Sequence, residues 1–353
     1  MIRLLIVDDS PSVRRVLTGA LESEADITVV GAAANAQEAQ QLIAETNPDV
    51  LTLDVAMPGM SGLDFLQWLT AHHPLPAIVL SAVTPTDSRL ALRALDLGAA
   101  EVICKPGVGR TFEVVLQELV RVVREAARSR LRNSRGWATA GQSAISVSRG
   151  SLRRHVVAVG ASTGGTRALE ALMLALPEWC PGMVVVQHMP PGFTAPFAQR
   201  LNQLSAMTVR EAREGDVLHE GLALVAPGGS HLVLTRQGAN YVARLNQGPK
   251  EHHQRPSADV LFRSVAECAG GDAVGVLLTG MGSDGALGLK AMRAAHAHTI
   301  AEDESTCVVY GMPAAAVHAG AVMEVQPLPA IPQAILAAAA RPAPPAAVAA
   351  HVR

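Results

Sequence analysis

One alternation runs through most of the chain, twice. In the first 125 residues the apolar, largely β-branched runs RLLIVDD, ITVVGAA, DVLTLDV, AIVLSAV and EVICKP are each followed by an amphipathic stretch of helical period. Strands joined through helices pair in parallel, and a parallel sheet needs helices on both faces. Within the first repeat unit, Ser10-Pro11 reads as the N-cap and first turn of the helix after strand one. The second half repeats the pattern in HVVAVGAS, MVVVQHM, AVGVLLTG and HTIAED. An α/β fold is therefore expected in both halves. The C-terminal one is expected to be doubly wound and mostly parallel. A β-hairpin insertion is expected in GLALVAPGGSHLVLTRQGANYVARL, where Gly pairs suit hairpin turns.

At 353 residues the chain is longer than most single cores grow, so two domains are expected. The helical stretch TFEVVLQELVRVVREAARSRLRN turns increasingly basic and gives way to SRGWATAGQSAISVSRG, which has no period and is rich in Ser, Gly and Ala. The expected order is a domain over 1–125, a linker over 126–152, a second domain over 153–340 and a Pro/Ala-rich tail over 341–353.

Charge narrows the function classes. The net charge is −2, and Lys and Arg are scattered rather than clustered, so nucleic acid is not an expected partner. Cys104, Cys180, Cys268 and Cys307 show neither pairing nor metal-type spacing and read as reduced, packed thiols. The first ten residues reach acidic side chains by Asp8, too early for a signal peptide, and no apolar run approaches the ~18 residues of a membrane span. A cytoplasmic protein without direct membrane insertion is expected.

Asp8 and Asp9 end strand one, and Asp54 ends strand three. In a five-stranded doubly wound sheet these ends lie together at the topological switch point, where ligands bind. Three close carboxylates repel unless one is protonated or a cation joins them, and an oxygen-only ligand set on a rim suits Mg²⁺. Lys105, before Pro106 at the end of strand five, brings a fixed positive charge to the same rim, and Ser81 at the end of strand four brings a hydroxyl. Strand-end caps and a surface lysine are the plainer reading of each residue alone. The set of five at strand ends instead suits phosphoryl transfer onto Asp54.

Over about Met1 to Arg124 these features resemble the receiver domain of bacterial response regulators, which implies a flavodoxin-like five-stranded fold. The resemblance implies that Asp54, in LTLDVAMPGMSG, is the phosphoacceptor, that Asp9 and Asp54 bind Mg²⁺, and that Asp8 binds it through water. It further implies that Ser81 senses the phosphoryl group and that Lys105 pairs with it. Receivers commonly carry an aromatic switch residue three positions before the lysine, and Val102 stands there instead. Signalling through an aromatic rotamer flip is not expected here.

In the second half Gly160, Ser162 and Gly164 satisfy G-x-S-x-G, which places a serine on a tight strand-to-helix turn with its oxygen exposed. Ser162 or Thr163 can equally cap the helix that follows. A dinucleotide turn fits less well, because the glycine order differs and the next strand ends in Gln187-His188 rather than in an acid. His188 closes a strand that should neighbour the serine strand. In AVGVLLTGMGSDGALG a third apolar strand breaks into glycines before Asp284, which, like Ser283, is also a candidate helix cap. Ser, His and Asp at three strand ends suit nucleophilic catalysis: a base takes the serine proton, and a carboxylate fixes the base's tautomer. Backbone N–H groups near Thr163 and Met281 are candidates for an oxyanion site. The order Ser, His, Asp departs from the Ser, Asp, His of α/β-hydrolases, so the G-x-S-x-G match does not imply that fold.

The segments VGASTGG, VVQHMPPGFTAPFAQRLN, EGDVLHEGLALVAPGG, RPSADVLFRSVA, LLTGMGSDGALGLKAMR and TIAEDESTCVVYGMPAAA, in this order, resemble the catalytic domain of the chemotaxis-type protein-glutamate methylesterases. The receiver-linker-esterase order resembles that family over nearly the whole chain. The resemblance implies hydrolysis of glutamate γ-methyl esters on methyl-accepting chemoreceptors, with deamidation of certain glutamines, and a chemotaxis histidine kinase as phosphodonor. It assigns Ser162 to attack, His188 to act as base then acid, Asp284 to orient His188, and Thr163 and Met281 to assist the oxyanion without any cofactor. Arg255, in RPSADVLF, is expected to line the site.

A protein substrate needs an open cleft, so an unphosphorylated receiver covering the Ser162 edge is the expected control, relieved by phosphorylation of Asp54. Two alternatives remain at this point: a response regulator whose output is binding alone, and the same esterase serving a sensory pathway other than flagellar chemotaxis.

Overall fold

The computed structural model describes residues 1–81, 90, 93–95, 97–105, 111–129, 147, 149–152 and 155–341. The chain divides into two compact units, Met1–Ala138 and Thr139–Arg353.

The first unit contains β1 (Ile2–Val7), α1 (Pro11–Glu22), β2 (Ile27–Ala33), α2 (Ala36–Thr46), β3 (Val50–Asp54), α3 (Gly62–His72), β4 (Ala77–Ser81), β5 (Glu101–Cys104) and α4 (Phe112–Ser129). The strands form one sheet in the order β2-β1-β3-β4-β5, parallel at every pairing. β3 and β4 are buried along their whole length, as strands covered on both faces must be. Leu4, Ile6, Val50, Ile78 and Ile103 pack beneath Leu119 and Val123 of α4. Ser10 caps α1, accepting the Val13 N–H, with Pro11 at the first helical position. α4 runs on to Ser129, past the Ala126 at which the linker was expected to begin. Most of the 126–152 segment, and all of the 341–353 tail except Arg341, lies outside the described residues.

The second unit contains β6 (Val156–Ala161), α5 (Gly165–Ala175), β7 (Gly182–Gln187), α6 (Thr194–Leu204), β8 (Thr208–Glu211), β9 (Val217–Leu218), β10 (Leu222–Val225), β11 (His231–Gln237), β12 (Asn240–Asn246) and α7 (Ala258–Cys268). It continues with β13 (Ala273–Leu277), α8 (Ala286–Ala294), β14 (His298–Glu302), α9 (Met312–His318), β15 (Glu324–Gln326) and α10 (Ile331–Ala340). Seven strands form a sheet in the order β15-β14-β13-β6-β7-β10-β8, again parallel throughout. Growth runs one way from β6 through β7 and the other way through β13, so β6 sits where the winding reverses.

The expected hairpin region divides differently from the sequence reading. Its first run, GLALV, supplies β10, a fully buried strand of the main sheet between β7 and β8. The Gly228-Gly229 pair is no hairpin turn; it follows β10, and Gly228 lies against the Pro190 backbone. The hairpin is β11–β12, with Gln237 opposite Asn240 and Gly238-Ala239 as a two-residue turn. β9 pairs with β12 to complete a three-stranded antiparallel sheet. Alternating apolar runs mark strands but not their partners, which is why the boundary shifted.

Cys104, Cys180 and Cys307 are buried, and Cys268 is partly so; all four are free thiols. Among the described residues no helix is long and apolar enough to cross a membrane.

Gly160 shows how closely α7 seats on β6. A Cβ there would lie 2.8 Å from Ala258 Cβ, 3.0 Å from Leu277 Cδ1 and 3.1 Å from Phe262 Cζ. Overpacking of this kind forces backbone or side-chain shifts. Gly160→Ala is expected to lower unfolding free energy by about 1–3 kcal/mol in denaturant titrations.

Candidate functional site

Each unit gathers polar side chains at the carboxyl ends of its central strands. In the first, Asp8 and Asp9 follow β1 and Asp54 ends β3, and β1 and β3 are adjacent. Carboxylate oxygens of the three lie within 4.8 Å of one another, with Asp8 and Asp54 buried. Lys105 follows β5 and reaches across to Asp54 at 2.7 Å and Asp8 at 3.2 Å. Burial works against the Lys105 ammonium, but the hydrogen bond and charge of Asp54, then Asp8, outweigh it and hold it above the usual lysine range. Burial pushes the Asp8 carboxyl up, opposed less strongly by Lys105 and by the Ser10 N–H. One ammonium facing three carboxylates leaves negative charge at the rim, and oxygen donors in such a cluster suit a hard divalent cation. Ser81 is buried at the end of β4, and its carbonyl accepts the Lys105 N–H at 2.8 Å.

In the second unit, Ser162 follows β6, His188 follows β7, and Asp284 lies in the loop between β13 and α8. The order β13-β6-β7 makes these three strands neighbours. His188 Nδ1 is 3.0 Å from Ser162 Oγ, and its Nε2 is 2.7 Å from Asp284 Oδ2. The imidazole and the carboxylate are almost entirely enclosed, at 6% and 2% side-chain exposure, so water competes little for these bonds.

Neither Ser162 nor Asp284 caps its own following helix. Gly164 holds the N-cap position of α5 and Gly285 that of α8, both without a side-chain cap. Asp284 instead sits at the start of α7. Its Oδ1 accepts from Ser257 Oγ at 2.7 Å and from the Asp259 N–H at 3.0 Å, while Oδ2 accepts the Ala258 N–H at 2.7 Å. An anion at a helix N-terminus meets unpaired N–H groups and the positive end of the helix dipole. Burial alone would raise this acid, yet the His188 bond and charge, with Ser257 and Asp259, bring it down to about 2. At neutral pH Asp284 is then a pure acceptor, so Nε2 carries the imidazole proton and Nδ1 presents its lone pair to Ser162. Such an arrangement can take the serine proton and return it. The ring faces the opposite way from the serine-protease pattern, in which Nε2 meets the serine.

The turn that carries Ser162 is fixed from behind. Thr279, after β13, accepts the Ser162 N–H at its carbonyl (3.0 Å) and donates its hydroxyl to the Thr163 carbonyl (3.0 Å). Gln187 donates to the Ser162 carbonyl at 2.9 Å. Gly280 faces Ser162 so closely that a Cβ would stand 2.8 Å from Ser162 Cβ and overlap Met312 Sδ; glycine is what fits there. Arg255, expected to line the site, donates Nη1 to the Gln247 and Gly248 carbonyls, tying down the chain after β12, two residues before Ser257. The sequence reading gave no role to Ser257, Thr279 or Gln187. The one signal for Ser257 was its place before an apolar run, which marks a helix start but not what that helix holds.

A carboxyl held below its ordinary 3.8 contributes stability that is fully present above that pH and is lost as pH falls through its folded value of about 2. Wild-type protein is expected to lose about 2 kcal/mol from this group on going from pH 5 to below pH 2, a loss that Asp284→Asn removes from the pH dependence of chemical denaturation.

The family model for the CheB methylesterase matches residues 157–335, and that for the response regulator receiver domain matches 4–115. A protein-glutamate methylesterase/protein-glutamine glutaminase of Anaeromyxobacter dehalogenans is 48% identical over 335 residues, spanning 95% of this chain and 94% of its own. A second, from Pseudomonas aeruginosa, is 45% identical over 342 residues, spanning 96% and 97%. The crystal structure of the Thermotoga maritima CheB methylesterase catalytic domain superposes with a TM-score of 0.51 at 37% identity, covering 53% of this chain and 99% of that one. A receiver-domain match followed by a methylesterase match over half of the chain, with relatives 48% and 45% identical over 95% and 96% of it, places this chain in the CheB methylesterase family.

Proposed function

We propose that the chain is a phosphorylation-activated serine hydrolase that removes γ-methyl esters from glutamates of methyl-accepting chemoreceptors and deamidates certain of their glutamines. The observation that carries this reading is the buried line from Ser162 Oγ through His188 to Asp284, within a domain of this family. Ser162 Oγ attacks the ester carbonyl as its proton passes to His188 Nδ1. Asp284 keeps the other ring proton on Nε2 and balances the imidazolium. Nδ1–H then protonates the leaving methoxide, methanol departs, and water repeats the sequence on the acyl-serine. N–H groups at Thr163 and Met281 receive the oxyanion, each such donor being worth ~3–4 kcal/mol of barrier.

The receiver, over 1–125 and joined through a linker at 126–152, supplies control. Asp54 takes a phosphoryl group from a chemotaxis histidine kinase, and this relieves inhibition of the catalytic domain. Asp8, Asp9 and Asp54 form the oxygen set that would hold Mg²⁺, Asp8 through water. When bound, the ion neutralises phosphoryl oxygens. Lys105 brings a fixed positive charge to the same oxygens, and Ser81 reads the phosphorylated state. The reaction on the receptor's cytoplasmic side needs no membrane insertion by this chain.

Methanol release from methylated receptor membranes, with and without a small-molecule phosphodonor, tests both parts. Ser162→Ala and His188→Ala are expected to lower release by ~10⁴-fold or more; if neither does, the catalytic assignment fails, and if the wild type releases none, the output is binding rather than hydrolysis. Asp54→Asn is expected to keep basal release and lose all stimulation by the phosphodonor. Undiminished stimulation in that variant would move the phosphoacceptor elsewhere.

A further inference from the structure

Glu302, at the end of β14, is fully buried. Its Oε2 accepts the Thr279 N–H at 2.7 Å, and its Oε1 has no hydrogen-bond partner. The groups that act on it, after burial itself, are the Thr279 N–H, Thr306, Cys307 and the neighbouring Asp303, none of them a cation. A carboxyl enclosed without a positive partner costs the fold several kcal/mol when ionised, and glutamine or leucine would fill the place at less cost. Its one good bond therefore marks what it does.

That bond ends on the residue that fixes the nucleophile turn. The Thr279 carbonyl takes the Ser162 N–H, and its hydroxyl donates to the Thr163 carbonyl while accepting the Val309 N–H at 3.0 Å. The following N–H, of Gly280, donates to the Val309 carbonyl at 3.1 Å, and Gly280 packs on Ser162. Thr279 is itself 1% exposed, so no water replaces these partners. Displacing it moves the backbone on both sides of Ser162 Oγ.

We propose that Glu302 is a positioning residue for the hydrolysis, locking Thr279 so that Ser162 and the backbone beside it stay in register with His188. This rests on the assignment of Ser162 as nucleophile. The side chain touches neither substrate nor the reacting atoms. Burial pushes its carboxyl up to about 7, so the acceptor gains charge across neutral pH. Charge-assisted hydrogen bonds are shorter and about twice as strong as neutral ones; the hold on Thr279 tightens as pH rises.

The test uses the full-length protein with a phosphodonor, reading methanol release from methylated receptor membranes and the rate of Ser162 labelling by a fluorophosphonate. Glu302→Leu is expected to lower kcat and the labelling rate together, by about 10–100-fold, as misplacement of reacting groups does, with KM changed less than about twofold. Glu302→Gln, which keeps an acceptor for the Thr279 N–H, is expected to recover kcat to within about threefold below pH 6 and to fall behind wild type by about three- to tenfold by pH 8.5. Wild-type kcat in Glu302→Leu, or a ratio of wild type to Glu302→Gln that stays flat between pH 6 and 8.5, overturns the proposal; the second result decides if the leucine variant does not fold. Ser162→Ala separates the two assignments. An active Ser162→Ala removes the nucleophile and this inference with it, whereas an inactive one beside unaffected Glu302 variants removes the inference alone.

Discussion

Both units depend on one constraint: parallel strands must be joined through helices, and the connections must reverse direction somewhere in the sheet. At the reversal two neighbouring connections leave in opposite directions, and the carboxyl ends of the strands stand open between them. In the first unit this happens between β1 and β3, where Asp8, Asp9 and Asp54 collect. In the second it happens at β6, where Ser162 stands between strands that end in His188 and lead to Asp284. Two different chemistries thus occupy the same topological position, each on strands held rigid by burial on both faces.

The second site adds a helix used from its end. Three residues at the start of α7 grip Asp284 by Ser257 Oγ and two backbone N–H groups. A buried carboxylate is costly unless its lone pairs are met, and here the helix terminus meets them while His188 takes the remaining direction. The gain is a fixed tautomer. An acid held at about 2 cannot give a proton to the ring, so the imidazole must present a bare Nδ1 to the serine. Gly160 belongs to the same device: its missing Cβ lets α7 sit close enough over β6 for its N-terminus to reach Asp284.

Four acidic side chains in the two units show how far environment decides charge. Asp284 is pulled down by His188 and the donors around it, Asp8 is pushed up by burial despite Lys105, and Glu302 is pushed up by burial against the Thr279 N–H, Thr306 and Cys307. Asp259, beside Asp284, is also raised, first by its own burial and then by that neighbouring carboxylate. The residue types are interchangeable in a composition table. Their neighbours, supplied by other strands and helices, set how readily each carries charge.

The periodic apolar runs determined the α/β class, the two-part organisation and the strand-end positions of Ser162, His188 and Asp284, because a strand's register and its polar terminus are local properties of the chain. Ser10 capping α1 was legible for the same reason. The structure decided what depends on distant partners. Whether GLALV was hairpin or central strand turned on which neighbour it pairs with, and β10 lies between β7 and β8. Asp284 read equally well as the cap of its own helix; only packing brought it to the start of α7 instead. Thr279 and Glu302 stood within recognisable segments, yet nothing in the sequence gave either a role, and only the structure joined them. Hydrogen bonds between residues 23 and 116 positions apart leave no periodic trace in a single sequence, so the hold on the Ser162 turn became visible only in three dimensions.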